Sequence, residues 1–533
     1  MRNIHSRWRI SGTLITTSPI SVGGMGSDAR VDLALAINGQ GNYYVPGTSL
    51  AGALRSWMSR NYNSDSSDNK HKIEIADRLF GYQPAKDEQG GHASFVTISD
   101  ISISQTDLFF EIRDGVGIDR ETGTASDRFK YNRAVLPKGT NLPLEISIER
   151  DKELKYEDLQ LYQTAIAHML HALKTGKIPI GAAKTRGLGR VKLNEENFEI
   201  ATHHFQTRQG VLASLGYPFN GIANNSMHPF AFDDPTKTYA QSAYLEIKIN
   251  WHPVEPVMVK AEGEGIAVNM LPLTSANGNA LTFVLPGSSI KGSLRSQAER
   301  IVRTVLGLGL RASTDIKQEY PTQIDVPLIG QLFGKAAKIE NGDQQGRIGA
   351  LSVIDCYANL AISPQAWANI ESATTESQLR TSLGAVGLLD TKQAMHVAID
   401  RWTGGAADQM LYSTLEPIGF EWEPIVLELD LSSKSIPKHE AIALILLVLR
   451  DMMLSKIPLG YATNRGMGAI DVDSINITGT GLAEELAALA DVKLENSNLN
   501  NLSRELLDTL TASWKAWIDS QTNHQTEVQG VTA

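Results

Sequence analysis

Two stretches decide how this chain folds: KIPIGAAKTRGLGRV (Lys177–Val191) and KIPLGYATNRGMGAI (Lys456–Ile470). They share one frame of Lys-Ile-Pro, glycine, arginine, Gly-x-Gly, and each stands between an apolar run and a β-branched one. Working outward, YVPGTSLAGALRSW (Tyr44–Trp57) matches VLPGSSIKGSLRSQ (Val284–Gln297), and GIDRETGTASDRFKY (Gly117–Tyr131) matches AIDRWTGGAADQMLY (Ala398–Tyr412). A shorter pair is Leu-Phe-Gly at Leu79–Gly81 and again at Leu332–Gly334. The pairs keep their order. Pro46 to Pro286 is 286 − 46 = 240, Leu79 to Leu332 is 332 − 79 = 253, Asp119 to Asp400 is 400 − 119 = 281, and Gly181 to Gly460 is 460 − 181 = 279. Four collinear matches with a slowly drifting offset imply a tandem duplication with insertions in the second copy. The period is far too long for a solenoid.

Each copy reads as α+β. The segments Arg7–Val22 and Ala243–Val259 alternate apolar and polar residues with β-branched enrichment, as strands do. Pro-Gly-Thr/Ser-Ser then opens a helix, with Ser49 or Ser289 as the expected cap. Later strands are LPLEISIER (Leu142–Arg150) and EPIVLELDL (Glu423–Leu431), each followed by an apolar helix, Leu159–Leu173 or His439–Leu454. The glycine-rich loop and a last strand close each copy. That order is β-α-β-β-α-β, the ferredoxin-like pattern. The expected division is one domain over 1–202, a connection over 203–241, a second domain over 242–478, and a helical tail with a disordered end over 479–533. The tail's helices are expected around LAEELAALADV (Leu482–Val492) and SRELLDTLTASWKAWI (Ser503–Ile518).

Composition narrows the class. Hydrophobic residues make up 42% and charged residues 20% of 533, as in ordinary globular protein. No apolar run is long enough to span a bilayer, and Met1–Gly12 lacks the apolar core of a secretory signal. A cytoplasmic protein is expected. Cys356 is the sole cysteine, which excludes a disulfide framework and a cysteine-based zinc site. The net charge of −10 does not exclude nucleic acid, because a basic groove on an acidic body still binds phosphate.

Candidate site residues follow from the repeats. Gly187 and Gly189 in the first loop, and Gly466 and Gly468 in the second, permit positive φ and close approach of a polyanion. Lys184, Arg186 and Arg190 supply charge in the first loop; in the second only Arg465 stands with certainty, since Asn464 and Ala469 replace basic residues. The loop lies between a helix and a strand, the reverse of a dinucleotide fingerprint, and has no Gly-Lys-Ser/Thr step, so it is not a nucleoside-triphosphate site. Helix-opening N–H groups with Ser49 or Ser289 make an anion site, within reach of Arg55 or Arg295. Lys291 is present only in the second copy, where the first has Ala51. His396 precedes the second Asp-Arg-x-Thr-Gly segment, where RNA contact and packing are equal readings.

The succession Pro-Gly-Ser-Ser-Ile-Lys-Gly-Ser-Leu-Arg, then Ile-Asp-Arg-x-Thr-Gly-x-Ala, then Gly-x-x-x-x-Arg-Gly-x-Gly closely resembles the RAMP (repeat-associated mysterious protein) superfamily. Within it the chain looks like the backbone subunits of type III CRISPR effectors, two units fused as in type III-D-like complexes. The resemblance covers roughly residues 8–200 and 243–478. It implies an RRM-like fold with a protruding β-hairpin thumb, at about 115–140 and 395–420. Asp119, Arg120 and Thr122 belong to the first thumb, and Asp400, Arg401 and Thr403 to the second. It further implies binding of a CRISPR guide RNA, of a complementary target RNA and of other effector subunits, with no membrane. Family members that cut target RNA use an aspartate in the loop after the first strand. Asp32 stands at the matching place, with Asp28 as competitor. Aligning Ser18-Pro19 with Glu255-Pro256 gives an offset of 237, and 32 + 237 = 269, which is Asn269. An amide is neither base nor strong metal ligand. The implied enzyme is therefore an endoribonuclease in the first copy only. Asp32 serves as base or as ligand of a divalent ion, magnesium or manganese, and the product is a 2′,3′-cyclic phosphate. Glu262, Glu264 or Asp390 stand as substitutes in the second copy. Two other readings stay open: a non-catalytic RNA scaffold, and a guide-processing endonuclease.

Overall fold

Alternating inward Trp8, Ile10 and Leu14 and outward Arg7, Arg9 and Ser11 set up the first strand, β1 (Ile4–Thr16). A computed structural model describes residues 4–24, 31–62, 75–84, 90–103, 110–151, 156–215, 243–261, 265–310, 316–340, 343–388, 391–495, 499 and 501–531. The chain divides into two compact units. One takes in Met1–Glu111, Ala134–Lys184 and Leu188–Gln241, the other Ile112–Arg133, Thr185–Gly187 and Ser242–Ala533. The segment of the first glycine-rich loop around Arg186 and the whole of the first Asp-Arg-x-Thr-Gly segment thus belong to the second unit.

In the first unit β1 is followed by α1 (Gly47–Tyr62), β2 (Val96–Ile98), β3 (Asn141–Asp151), α2 (Tyr156–Lys174), β4 (Val191–Leu193) and β5 (Glu199–His204). The sheet runs β5-β1-β3-β2, with β4 also on β1, and all of these pairings are antiparallel. One face buries Ile10, Leu14, Leu144, Ile146 and Ile148 under Leu50, Leu54 and Met58 of α1 and Ile166, Leu170 and Leu173 of α2. Ion pairs lace the other: Arg7 to Glu149 and Arg9 to Glu145, each 3.0 Å.

The second unit repeats this order with β6 (Tyr244–Pro253), α3 (Gly287–Leu306), β7 (Leu351–Ile354), β8 (Ile425–Asp430), α4 (Lys438–Met453) and β9 (Ile470–Thr480). Its sheet runs β9-β6-β8-β7, the same relative order as β5-β1-β3-β2. Here α5 (Arg504–Val531) adds Leu506 and Leu510 to the core. The expected helix over Leu482–Val492 is instead a 3₁₀ turn (Glu484–Leu489) and a further strand, β10 (Asp491–Glu495), on the outer edge of β9. Val492 and Leu494 bury at period two, a pattern that suits an added edge strand better than a second free helix. No helix among the described residues is long and apolar enough to cross a membrane.

Candidate nucleic-acid interface

Each Pro-Gly helix starts pressed against a strand. A Cβ on Gly47 would lie 2.1 Å from Ile98 O, and one on Gly287 2.2 Å from Val353 O, so only glycine fits either place. The expected serine cap is not what closes these helices. Gly47 N donates to Asp100 Oδ1 and Gly287 N to Asp355 Oδ1, both at 2.7 Å, while Ser49 N and Ser289 N turn back to Pro46 O and Pro286 O. The anion at each helix start is therefore the protein's own carboxylate, which satisfies an orphan donor and favours the helix dipole. The sequence gives little signal for these aspartates beyond their place just after a short strand.

The two glycine-rich loops have one backbone conformation. Positive φ recurs at Gly181 and Gly460 (+79° and +88°), Ala183 and Ala462 (+53° and +54°), Gly187 and Gly466 (+92° and +87°), and Gly189 and Gly468 (+92° and +84°). Their anchors correspond as well. Gly189 N donates to Pro19 O and Ala182 N to Ser21 O; Gly468 N donates to Pro256 O and Tyr461 N to Met258 O. The anchoring residues differ by 256 − 19 = 237 and 258 − 21 = 237, the offset read from Ser18-Pro19.

Two hairpins stand over these loops. Hairpin 1 pairs Glu111–Ile118 with Ala125–Val135, and hairpin 2 pairs Lys392–Ile399 with Ala406–Glu416. Their tips close alike. Gly123 N donates to Asp119 O and Gly404 N to Asp400 O, both glycines at φ +69°. The Asp119 carboxylate accepts from the Thr122 amide and hydroxyl, and Asp400 from the Trp402 amide and the Thr403 hydroxyl. The Thr122 amide above all holds Asp119 below the usual carboxylate range, and the Trp402 amide does the same for Asp400. In each hairpin a tyrosine meets the loop arginine. Arg186 Nη1 donates to Tyr131 Oη at 2.9 Å, and Arg465 Nη1 donates to Tyr412 Oη, with the guanidinium 5.7 Å over the Tyr412 ring. These tyrosines close both fifteen-residue matches in the sequence, yet nothing there marked them as partners of the arginines.

The other candidate residues divide by environment. Arg465, Gly466 and Arg401 are exposed, whereas Gly187, Gly189 and Gly468 are buried. Arg55 pairs with Asp77 at 2.6 Å. Lys184 is half-buried, and burial followed by the Arg60 charge lowers its ammonium. Lys291 is buried, and its Nζ donates to Leu351 O at 2.7 Å. Burial, with Arg186 and Arg295 adding repulsion, pushes that ammonium down to about 7. Arg295 bonds Glu299, Gly334 O and Ile324 O, so it is committed to the fold of α3's surroundings. Arg186, Lys291 and Arg295 thus form one electrostatic cluster. Arg120 pairs with Glu299 at 2.7 Å.

Asp32 is exposed on the segment after β1. Its neighbour Leu33 accepts from Ala134 N at 3.1 Å, and in the second unit Met270 accepts from Leu415 N at 2.9 Å. The difference 270 − 33 = 237 puts Asn269 where the first unit has Asp32. Asn269 Oδ1 is taken by Ser413 N at 2.9 Å. Asp28, Glu262, Glu264 and Asp390 lie outside the described residues. No three His, Cys, Asp or Glu side chains converge as a metal site among the described residues.

The sequence profile of the RAMP superfamily matches residues 13–192 and 274–471, more than half of the chain. No curated protein sequence matches it.

Proposed function

The chain belongs to the RAMP superfamily, and from that premise we propose that it is an RNA-binding backbone subunit of a CRISPR effector, with two units fused as in type III-D-like complexes. One observation carries this reading: each glycine-rich loop, of fixed positive-φ geometry, presents an arginine bonded to a tyrosine of a hairpin. Loops of this kind let a phosphate backbone approach main chain, and guanidinium and ring together suit phosphate and base. The sheet orders β5-β1-β3-β2 and β9-β6-β8-β7 support a ferredoxin-like fold for both units, and the matching loops support their origin by duplication. Guide RNA is the ligand of both loops, and target RNA pairs along it.

Cleavage is assigned to the first unit. Asp32 takes the proton of a target 2′-hydroxyl as that oxygen attacks the adjacent phosphorus; the 5′ oxygen leaves with a proton from water, giving a 2′,3′-cyclic phosphate and a 5′-hydroxyl. Holding the strand in line is worth several kcal/mol of the barrier. In the alternative role Asp32 would not be the base but would hold a magnesium or manganese ion, which would supply neutralisation of phosphate charge. Asn269 leaves the second unit without this carboxylate. In Asp32→Ala, target cleavage at one position drops by about 10²-fold or more while guide RNA still co-purifies. Unchanged cleavage would remove Asp32 from the mechanism and leave RNA binding standing.

A further inference from the structure

The second unit is completed by two pieces of the first repeat. Arg186 and Gly187 lie as an added parallel strand on β7, in register with Val353 and Ile354, and Val353 N donates to Thr185 O at 3.3 Å. Gly187 there sits against the start of α3: a Cβ on Gly287 would lie 3.0 Å from Gly187 Cα. Hairpin 1 adds two ion pairs. Arg113 Nη1 stands 3.5 Å from Asp355 Oδ2 and its Nη2 donates to Ser275 Oγ at 2.9 Å, while Arg120 Nε meets Glu299 at 2.7 Å. Arg113, Asp355 and Glu299 are buried. This unit therefore receives one loop strand and two arginines, against two carboxylates of its own.

The first unit has the corresponding surface. β2 ends its sheet, and no strand among the described residues pairs on its outer side. An open edge of this kind is a template for a further strand. Asp100 caps Gly47 as Asp355 caps Gly287, yet Asp100 is exposed, and so are Thr97 and Ser99 beside it. Ala51 stands where the second unit has Lys291, so an incoming cationic loop meets no ammonium there. The loop and hairpin of a second copy of this chain do not match this surface. Since 113 + 281 = 394, Ala394 takes the place of Arg113; since 299 − 240 = 59, Ser59 takes the place of Glu299. One pair keeps only its carboxylate, Asp100, and the other only its arginine, Arg401. Arg55 already holds Asp77 at 2.6 Å. Docking a second copy would bury Asp100 beside Ala394 and Arg401 beside Ser59, two unpaired charges that disfavour the contact.

We propose that the edge of β2, with Asp100 at its end, docks a glycine-rich loop and an arginine-bearing hairpin of a different polypeptide, and that Ala394 and Ser59 exclude a second copy of this chain. Arg186, Gly187 and Arg113 set the chemistry of that partner. It lays an Arg-Gly step parallel to Ile98 and Ser99, which correspond to Val353 and Ile354 at the offset 355 − 100 = 255. Its glycine comes over Gly47, where a side chain would not fit, and its hairpin brings a guanidinium to Asp100. The contact is heterologous, and its two faces do not match within one chain, so it does not propagate into a filament of this chain alone. The inference goes beyond the RNA-binding reading and rests on protein contacts only.

The test restores the missing halves in the full chain, freed of RNA by nuclease, and reads its association state by sedimentation across a concentration series. The wild-type chain is expected to stay monomeric. Ala394→Arg supplies a guanidinium for Asp100, and Ser59→Glu a carboxylate for Arg401. Each tightens self-association by about tenfold or more, and the double variant forms head-to-tail oligomers. Asp100→Asn, which keeps an oxygen for the Gly47 amide but removes the charge, takes back the gain of Ala394→Arg. Each single variant restores one pair, so a double variant that misfolds leaves the test intact. Monomer in every variant up to about 100 μM, or association that Asp100→Asn leaves unchanged, overturns the docking site. A wild-type chain that already associates, and loses this in Asp100→Asn, makes the occupant a second copy and overturns the exclusion. No readout involves RNA, so the proposal can fail while the RNA-binding reading stands.

Discussion

Hairpins 1 and 2 have the same tip and opposite surroundings. Hairpin 1 is moored: Arg120 Nε meets Glu299 at 2.7 Å, Gln323 Nε2 donates to Asp119 at 2.8 Å, and Phe129 packs on Tyr320 with ring centroids 4.7 Å apart. In hairpin 2 the corresponding Arg401, Asp400 and Met410 have no such mooring among the described residues. Met395, Ile399 and Met410 are more than half exposed, and Trp402 is 93% exposed. The Asp-x-x-Thr/Gly turn is local and forms wherever it is written, because the aspartate is satisfied by amides two and three residues on. What the tip faces is decided elsewhere, by Glu299 and Gln323. The strongest way to break the contrast is therefore at Glu299. It is 2% exposed and receives both Arg120 and Arg295. Glu299→Ala leaves two poorly solvated guanidiniums with carbonyl partners but no carboxylate and should cost about 3 kcal/mol. A fall in the urea midpoint, with hairpin 1 newly open to protease, is the expected outcome; an unchanged midpoint would mean the mooring contributes nothing.

The glycine-rich loops give the next largest effect and sharpen the contrast. Gly187 and Gly466 have the same φ, but a Cβ on Gly187 would lie 2.0 Å from Asp355 Oδ1, while one on Gly466 meets nothing within 4 Å. Gly187→Ala combines left-handed strain with displacement of the carboxylate that caps α3, for roughly 2–4 kcal/mol. Gly466→Ala has only the strain, about 1 kcal/mol. Equal losses in chemical denaturation would show that the loops are packed alike after all.

Lys291 against Ala51 is a smaller difference, readable through pH. Its ammonium is lowered from 10.5 to about 7. Between those values the unfolded chain binds the proton and the folded chain does not, so this residue makes stability rise with pH from about 7 towards 10.5 and flatten beyond. Lys291→Met removes that slope and should stabilise the protein at neutral pH by about 1–3 kcal/mol. Melting curves across this range check it; a slope that survives the substitution belongs to another group.

Much of this architecture was legible in the sequence because it is written twice. The period-two strands, the Pro-Gly helix starts and the four collinear matches are local patterns, and the offset of 237 located Asn269 opposite Asp32 from one dipeptide alignment. What stayed hidden depends on partners distant in the chain. Asp100 and Asp355 cap helices that begin 53 and 68 residues away. Lys291 reads as an exposed phosphate binder by residue type but turns inward to Leu351 O, because its place on α3 faces β7. His396 meets Thr414 Oγ1 at 3.0 Å only once the hairpin register sets its strands side by side.

Trp402 gives the smallest expected effect on stability and the cleanest separation of folding from binding. Its side chain stands in solvent at the tip of hairpin 2, where hairpin 1 has Glu121, and only its amide serves the turn, through Asp400 Oδ1 at 2.9 Å. Alanine keeps that amide. Trp402→Ala should therefore change stability by no more than about 0.5 kcal/mol. Its effect belongs on ligand affinity instead: a base stacked on such a ring is worth about 1–3 kcal/mol, so RNA held by hairpin 2 should bind about 5- to 150-fold more weakly. Glu121→Ala, at the moored tip, should leave RNA affinity where it was. If the two substitutions weaken RNA binding equally, the tips are equivalent in use despite their surroundings; if neither does, the ring at the end of hairpin 2 meets something other than a nucleotide.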